Sequence, residues 1–326
     1  DVKMADDSSM SPFDTGHEEM IHDAQLDYYG KRVATASSDR TIKIFELQGK
    51  TQTELAHLKG HTGPVWQVAW GHPSLGNLLA SCSYDRKVCI WQEVRKNQWQ
   101  CIHTDNCHQA SVNAVAWAPH ELGRVLACAS ADGTVSIISY TDNRWVREGP
   151  FQAHPGGVNA VSWAPAIPSG SLVLPQNQSG MKLQKCIVTG GCDNKLKIWR
   201  FSQKNNQWDE ETKIFGNTNG LKHQGWVRDV AWAPSLGLPG NTIASCSEDG
   251  LAIIWSDGKN GAIEPVKEIK GKEKMWRVSW STMGNILAIS MGNNTVSLWK
   301  ESVDGKWQDL AECNEGLPNK QDQKMG

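Results

Sequence analysis

No stretch of this chain approaches the roughly eighteen consecutive apolar residues that a membrane-spanning helix requires, and no C-x-x-C pair stands among its nine cysteines. The first absence removes a helical membrane span; the second removes the commonest ligand spacing of a structural zinc site. A G-x-S-x-G elbow is also missing, and with it the nucleophile turn of the α/β-hydrolases. Nor is there a surplus of charge. Against 33 Lys and Arg stand 35 Asp and Glu, so nothing in the electrostatics calls for direct contact with nucleic acid or an anionic membrane. The opening "DVKMADDSSMSPFDTG" is acidic and polar where a secretory signal would be basic and then apolar. A soluble intracellular protein is expected, with reduced and inert cysteines: Cys82 in "ASCSYD" and Cys246 in "ASCSED" sit among small strand residues.

What the chain does contain is a repeat. "GHTGPVWQVAW" followed by "LLASCSYDRKVCIW" returns as "KHQGWVRDVAW" followed by "TIASCSEDGLAIIW". An anchor, aspartate in five units and asparagine in the sixth, and a residue six positions on recur in every unit: Asp39 and Phe45, Asp85 and Trp91, Asp132 and Ile138, Asp193 and Trp199, Asp249 and Trp255, Asn293 and Trp299. A second interval, of nine, joins His61 to Trp70, His108 to Trp117, His154 to Trp163 and His223 to Trp232, and the same offset takes His17 to Leu26 and Gly271 to Trp280. Alternating β-branched and aromatic residues between Gly, Pro, Asn and Asp read as about four short strands per unit. Trp99, Trp145, Trp208 and Trp307 open the fourth strands, which places all 16 tryptophans in the repeat frame. Units of roughly 45 residues with this texture specify an all-β fold, a six-bladed WD-repeat β-propeller.

The stretches "HEEMIHDAQLDYYG", "GPVWQVAW", "SCSYDRKVCIW", "GGCDNKLKIW" and "WVRDVAWAPSLGLP" make the chain resemble the small WD-repeat subunit shared by the COPII outer coat and the Y-shaped scaffold of the nuclear pore. That resemblance covers residues 16–313. Residues 1–15 are expected to be a disordered or appended lead, and 314–326 a disordered tail.

A serine or threonine, a histidine and an aspartate recur together with a tryptophan in three units: Trp91, Ser81, His61 and Asp85; Trp199, Thr189, His154 and Asp193; Trp255, Ser245, His223 and Asp249. The set invites comparison with a hydrolase triad. In WD repeats, however, these groups form a buried structural chain from indole to hydroxyl to imidazole to carboxylate, and three equivalent copies argue against one nucleophile. "HEEMIH" places His17 and His22 five apart, not the four of a zincin helix. No catalytic residue, metal or cofactor is therefore expected. The insertion at residues 166–185 reads as a surface loop packing on its own blade, with Leu172, Val173 and Leu174 the residues able to dock a partner.

The ends of the array carry the functional expectation. The last unit completes its own fourth strand at residues 306–313, while the residues ahead of His17 are polar and include Pro12. No strand is spare to lock a ring, so an open propeller is expected, with apolar faces bearing Ile42, Ile44, Val296 and Leu298 left for a partner. The resemblance implies what covers them: a β blade inserted by an α-solenoid scaffold protein of the COPII coat, or by an α-helical nucleoporin of the Y-shaped complex. It further implies ER-to-Golgi transport, residence on ER-derived vesicles, ER exit sites and the nuclear envelope, and membrane association only through the assembly. The rival reading is an autonomous, closed propeller that binds peptides on its top face.

Overall fold

The computed structural model describes residues 13–49, 51–167, 183–211, 223–235, 240–257, 262–302 and 304–310. Each repeat unit builds one four-stranded antiparallel sheet, giving the six blades of an all-β propeller. Most of the insertion, Leu172 to Leu174 included, lies outside the described residues, as does most of the lead. Residues 13–15, assigned from sequence to an unstructured lead, are described: the Phe13 ring meets Phe45 edge-on at 5.3 Å, because that face of the first blade is apolar and close by. By internal contacts the chain divides into two units, Asp1–Trp117 and Ala118–Gly326.

The anchor residue recurs because of the turn between the second and third strands. The residue after it is left-handed in every blade: Arg40 (φ 70°), Arg86 (71°), Gly133 (85°), Asn194 (63°), Gly250 (75°) and Asn294 (62°). A side-chain oxygen of the anchor stabilises that turn by accepting the N–H two residues on, from Thr41 to Asp39 at 2.9 Å and from Lys87 to Asp85 at 2.9 Å. Leu251 to Asp249, at 2.9 Å, and Thr295 to Asn293, at 3.2 Å, repeat it. This is an Asx turn, which Asn can make as well as Asp.

In the first unit, blade one (Ile21–Leu26, Arg32–Ser37, Thr41–Gln48, Thr51–Lys59) packs on blade two (Val65–Trp70, Leu78–Ser83, Val88–Arg95, Gln98–Asp105). Ala34, Ala36, Ile42 and Ile44 of the former meet Val65, Val68, Leu79, Cys89 and Trp91 of the latter. Small residues on the second strand let the sheets approach. The second unit repeats the pattern between its last two blades, where Ala244, Cys246, Ala252 and Ile254 meet Met275, Val278, Leu287 and Ile289. Two polar stitches accompany each packing. The indole closing a first strand donates back to a carbonyl of the preceding blade: Trp70 to Gln25, 2.9 Å; Trp117 to Ala69, 3.0 Å; Trp280 to Ala231, 3.0 Å. A side-chain oxygen of that preceding strand accepts an otherwise unpaired N–H: Val68 to Asp23, 3.1 Å; Val115 to Gln67, 2.8 Å; Val278 to Asp229, 3.0 Å.

Three networks run through the blades. Trp91 Nε1 donates to Ser81 Oγ at 2.9 Å, Ser81 Oγ lies 2.8 Å from His61 Nε2, and His61 Nδ1 lies 3.0 Å from Asp85 Oδ2. Trp199, Thr189, His154 and Asp193 repeat this at 3.0, 2.8 and 2.8 Å, and Trp255, Ser245, His223 and Asp249 at 2.9, 2.8 and 3.3 Å. With the hydroxyl proton directed to Nε2, each ring carries its proton on Nδ1 and donates it to the carboxylate. Burial lowers the pKa of His154 and His223 below the ordinary 6.5, against the upward pull of Asp193 and Asp249. Burial alone would raise Asp85, yet hydrogen bonds from His61 and the Thr62 N–H hold it well below the usual carboxylate range.

Asp85→Ala and Asp249→Ala remove both the turn acceptor and the histidine's partner, and each is expected to cost about 1–3 kcal/mol. Asp85→Asn keeps an oxygen for the turn and should cost less; unchanged denaturation midpoints for both alanine variants would contradict this role. The pH dependence has one sign. Unfolded histidine takes up its proton at higher pH than folded His154 or His223, so stability is full above the ordinary 6.5 and falls as pH drops through it. A second fall follows below 3.8 as Asp85 loses its charge. Denaturation midpoints constant between about pH 8 and pH 5 would refute the histidine contribution.

Candidate partner interface

Each serine or threonine of the three networks is fully buried, with Ser81, Thr189 and Ser245 at 0% exposure, and each hydroxyl oxygen already accepts an indole N–H. A substrate carbonyl has no path to such an oxygen, and nucleophile and base cannot act together without breaking the blade's own hydrogen bonds. Among the described residues no three of His, Cys, Asp and Glu gather closely enough to hold a metal ion. Blade one carries a reduced version of the network: His17 lies 2.6 Å from Asp39 and 2.8 Å from Thr35 Oγ1, with Phe45 in place of the indole. The histidine-to-anchor spacing was the signal for it.

The faces of the terminal blades are unlike those of the others. Strand register puts Asp23, Ala36, Ile42 and Leu58 on one face of blade one, with Gln25, Ala34, Ile44 and Ala56 alongside. This is the face packed on blade two. Ile42 and Ile44 are accordingly buried, at 1% and 0% exposure, and the expectation that they line an open face is corrected. Alternation fixes which residues share a face but not which neighbour that face meets. The opposite face of blade one carries Ala24, Thr35 and Lys43 in one row and Leu26, Val33 and Phe45 in the next. Its Lys43 end is covered by the lead, Lys43 Nζ donating to the carbonyls of Thr15 (3.0 Å) and Gly16 (2.8 Å). Its inner end is bare: Ile21 and Leu26 are 39% and 54% exposed, whereas their repeat counterparts Val65 and Trp70 are held in the blade-to-blade core. Leu26 stands where every other unit has a tryptophan, the residue that reaches back to a preceding blade at Trp70, Trp117 and Trp280.

Blade six (Met275–Trp280, Ile286–Met291, Val296–Glu301, Trp307–Asp309) shows the complementary feature. Val296 pairs with Ser290 and Leu298 with Ala288, which is the row occupied in blade one by Ile42 and Ile44. Here the two side chains are 61% and 43% exposed. The fourth strand is described as Trp307–Asp309, shorter than the sequence reading of 306–313, whose end lies outside the described residues.

A second exposed group lies in the second unit. Arg228 sits 5.2 Å from the centroid of Trp226 and 5.0 Å from that of Trp276, and pairs with Glu248, which also receives Lys274 at 3.3 Å. The aromatic clamp is thus filled by the protein's own guanidinium, and that charge is met by its own carboxylate.

Residues 10–46, 52–92, 145–200 and 218–256 match the WD domain, G-beta repeat family, and residues 74–166 match the anaphase-promoting complex subunit 4 WD40 domain. Among curated proteins the chain is 47% identical over 311 residues to protein transport protein sec13 of Emericella nidulans, across 92% of this chain and 97% of that protein. It is 48% identical over 306 residues to the protein of the same name from Aspergillus clavatus, across 91% and 100%. Identity is 45% over 332 residues to protein transport protein SEC13 of Cryptococcus neoformans var. neoformans serotype D, across 94% and 96%. Repeat architecture, strand pattern and near full-length identity agree, and the chain belongs to the Sec13 family of WD-repeat protein transport proteins.

Proposed function

We propose that this chain is a non-catalytic scaffold subunit of the COPII vesicle coat in ER-to-Golgi transport and of the Y-shaped nuclear-pore subcomplex. Its partners are an α-solenoid scaffold protein in the coat and an α-helical nucleoporin in the pore, each contributing a β blade. It works at ER exit sites, on ER-derived vesicles and at the nuclear envelope, and meets membrane only through the assembly. The observation that carries this reading is the pair of bare apolar rows, Ile21 with Leu26 and Val296 with Leu298. Their counterparts elsewhere are covered by a neighbouring sheet, so the shape they accept is a pleated sheet stacked about 10 Å away.

The rival, peptide reading on the top face, draws on Trp226 and Trp276. It is disfavoured because Arg228 already fills the space between them.

Val296→Asp with Leu298→Asp is expected to abolish binding of a co-expressed partner fragment able to form a three-stranded sheet, while the fold of the isolated chain persists because both side chains already face water. The wild-type pair should melt higher than the chain alone, by about 2.7 kcal/mol of added stability at a hundredfold excess of partner over Kd. Undiminished binding in the double variant, with loss on Trp226→Ala or Trp276→Ala, would overturn the proposal in favour of the rival. Ser81 and Ser245 should also stay unlabelled by a fluorophosphonate probe in the folded protein; covalent labelling of either would refute a non-catalytic role.

A further inference from the structure

Blade two holds a pair of cysteines unlike the rest. Cys89 lies on its third strand and Cys101 on its outer strand, where Cys89 pairs with Thr104, Ile90 with His103 and Trp91 with Cys101. The register shift between Ile90 and Trp91 leaves Ile102 as the extra residue. A bulge of this kind tightens the local twist and re-aims side chains. Cys89, Trp91 and Cys101 share one face, with Cys101 opposite Trp91 and diagonal to Cys89. Both thiols meet the same hydroxyl, Thr104 Oγ1, at 3.8 Å from Cys89 Sγ and 3.4 Å from Cys101 Sγ. They also hydrogen-bond to each other. As a thiol, Cys101 has the His103 carbonyl oxygen at 3.3 Å as acceptor.

The two sulfurs differ in access and acidity. Cys101 is exposed whereas Cys89 is buried at 2% exposure. The hydrogen bond from Cys89 lowers the Cys101 pKa to about 6, against burial, with Thr104 and the nearby His61 helping. The same bond and burial push Cys89 up, and Asp85 adds to this. At neutral pH one sulfur is therefore an accessible thiolate and its neighbour a proton-bearing thiol. Elsewhere burial acts the other way, raising Cys186 to about 12 and lifting Cys246 well above its ordinary value.

We propose that Cys101 and Cys89 form a hydroperoxide-reactive dithiol that closes to an intramolecular disulfide across the third and outer strands of blade two. In the first step the Cys101 thiolate attacks one peroxide oxygen, the O–O bond breaks, hydroxide or alkoxide leaves, and the sulfur, giving up two electrons, becomes a sulfenic acid. In the second step Cys89 sulfur attacks the Cys101 sulfur, the S–O bond breaks, and the hydroxyl leaves with the Cys89 proton as water. Thr104 Oγ1, in contact with both sulfurs, gives up those contacts as they join.

The test uses the reduced full-length chain with Cys107→Ser, since Cys101 and Cys107 share the tryptic peptide 97–124. One equivalent of hydrogen peroxide should remove two titratable thiols, lower the intact mass by about 2 Da, and link peptide 97–124 to Val88–Arg95, reversibly with a dithiol reductant. Cys101→Ser, at an exposed position, should abolish the mass loss; Cys89→Ser should leave a sulfenic acid trapped by a cyclic 1,3-dione. Alkylation of Cys101 should titrate with a midpoint near 6. The proposal is overturned if Cys101 proceeds to sulfinic acid while Cys89 keeps its thiol, if neither reacts, or if the mass loss survives Cys101→Ser.

Discussion

A blade of this fold has two apolar faces and no core of its own, so each sheet is stable only where something flat covers both. Neighbouring blades satisfy this with each other, as Ile42 and Ile44 do against Val65, Val68 and Leu79. Covering a Val, Ile or Leu side chain contributes about 1.5–3 kcal/mol. Leaving Val296, Leu298, Ile21 and Leu26 partly in water thus forgoes several kcal/mol, comparable with the whole net stability of many domains, about 5–15 kcal/mol. Folding and the covering of these rows are coupled through one quantity, the area of sheet face removed from water.

Within a blade the anchor carboxylate has two separable duties, and the repeats reveal the separation. In Asp39, Asp85 and Asp249 one oxygen holds the left-handed turn and the other receives the histidine proton, whereas in Asp193 a single oxygen, Oδ1, serves both. Asn293 performs the first alone, since its unit has Gly271 in place of histidine and so nothing to donate to a second oxygen. The turn is therefore the invariant need, and the histidine network is an addition where a histidine and a hydroxyl are also present, with the indole extending it in three blades. That is why the anchor spacing never slips although the network is reduced in blade one.

Much of this was legible in the sequence because the repeat supplies six readings of each position. The strands, the anchor turn and the members of each network follow from fixed intervals and alternation. Ile42 and Ile44 were misplaced for a physical reason: period-2 alternation is symmetric between the two faces, and the direction in which blades follow one another is a tertiary property. Cys101 escaped for another reason. Its relation to Cys89 depends on a bulge that inserts Ile102, and a one-residue shift in register has no signature in composition. Phe13 was read as part of a polar lead because a single aromatic residue carries no period.

The two bare faces differ from interior ones in a further way, which bears on what can cover them. An interior stitch needs an indole donor at the end of one first strand and a side-chain acceptor on the preceding one, as with Trp70 and Val68 against Gln25 and Asp23. Blade one has Leu26 in the donor position. Blade six has Arg277 where Asp23, Gln67 and Asp229 stand in blades one, two and five, and a guanidinium offers no acceptor. Ala114 and Ala160 stand at the same place in blades three and four, so a side-chain acceptor is not required of every blade. The bare row of blade one thus lacks an indole donor and that of blade six a side-chain acceptor, and a sheet packed on either would be held by apolar contact rather than by this stitch.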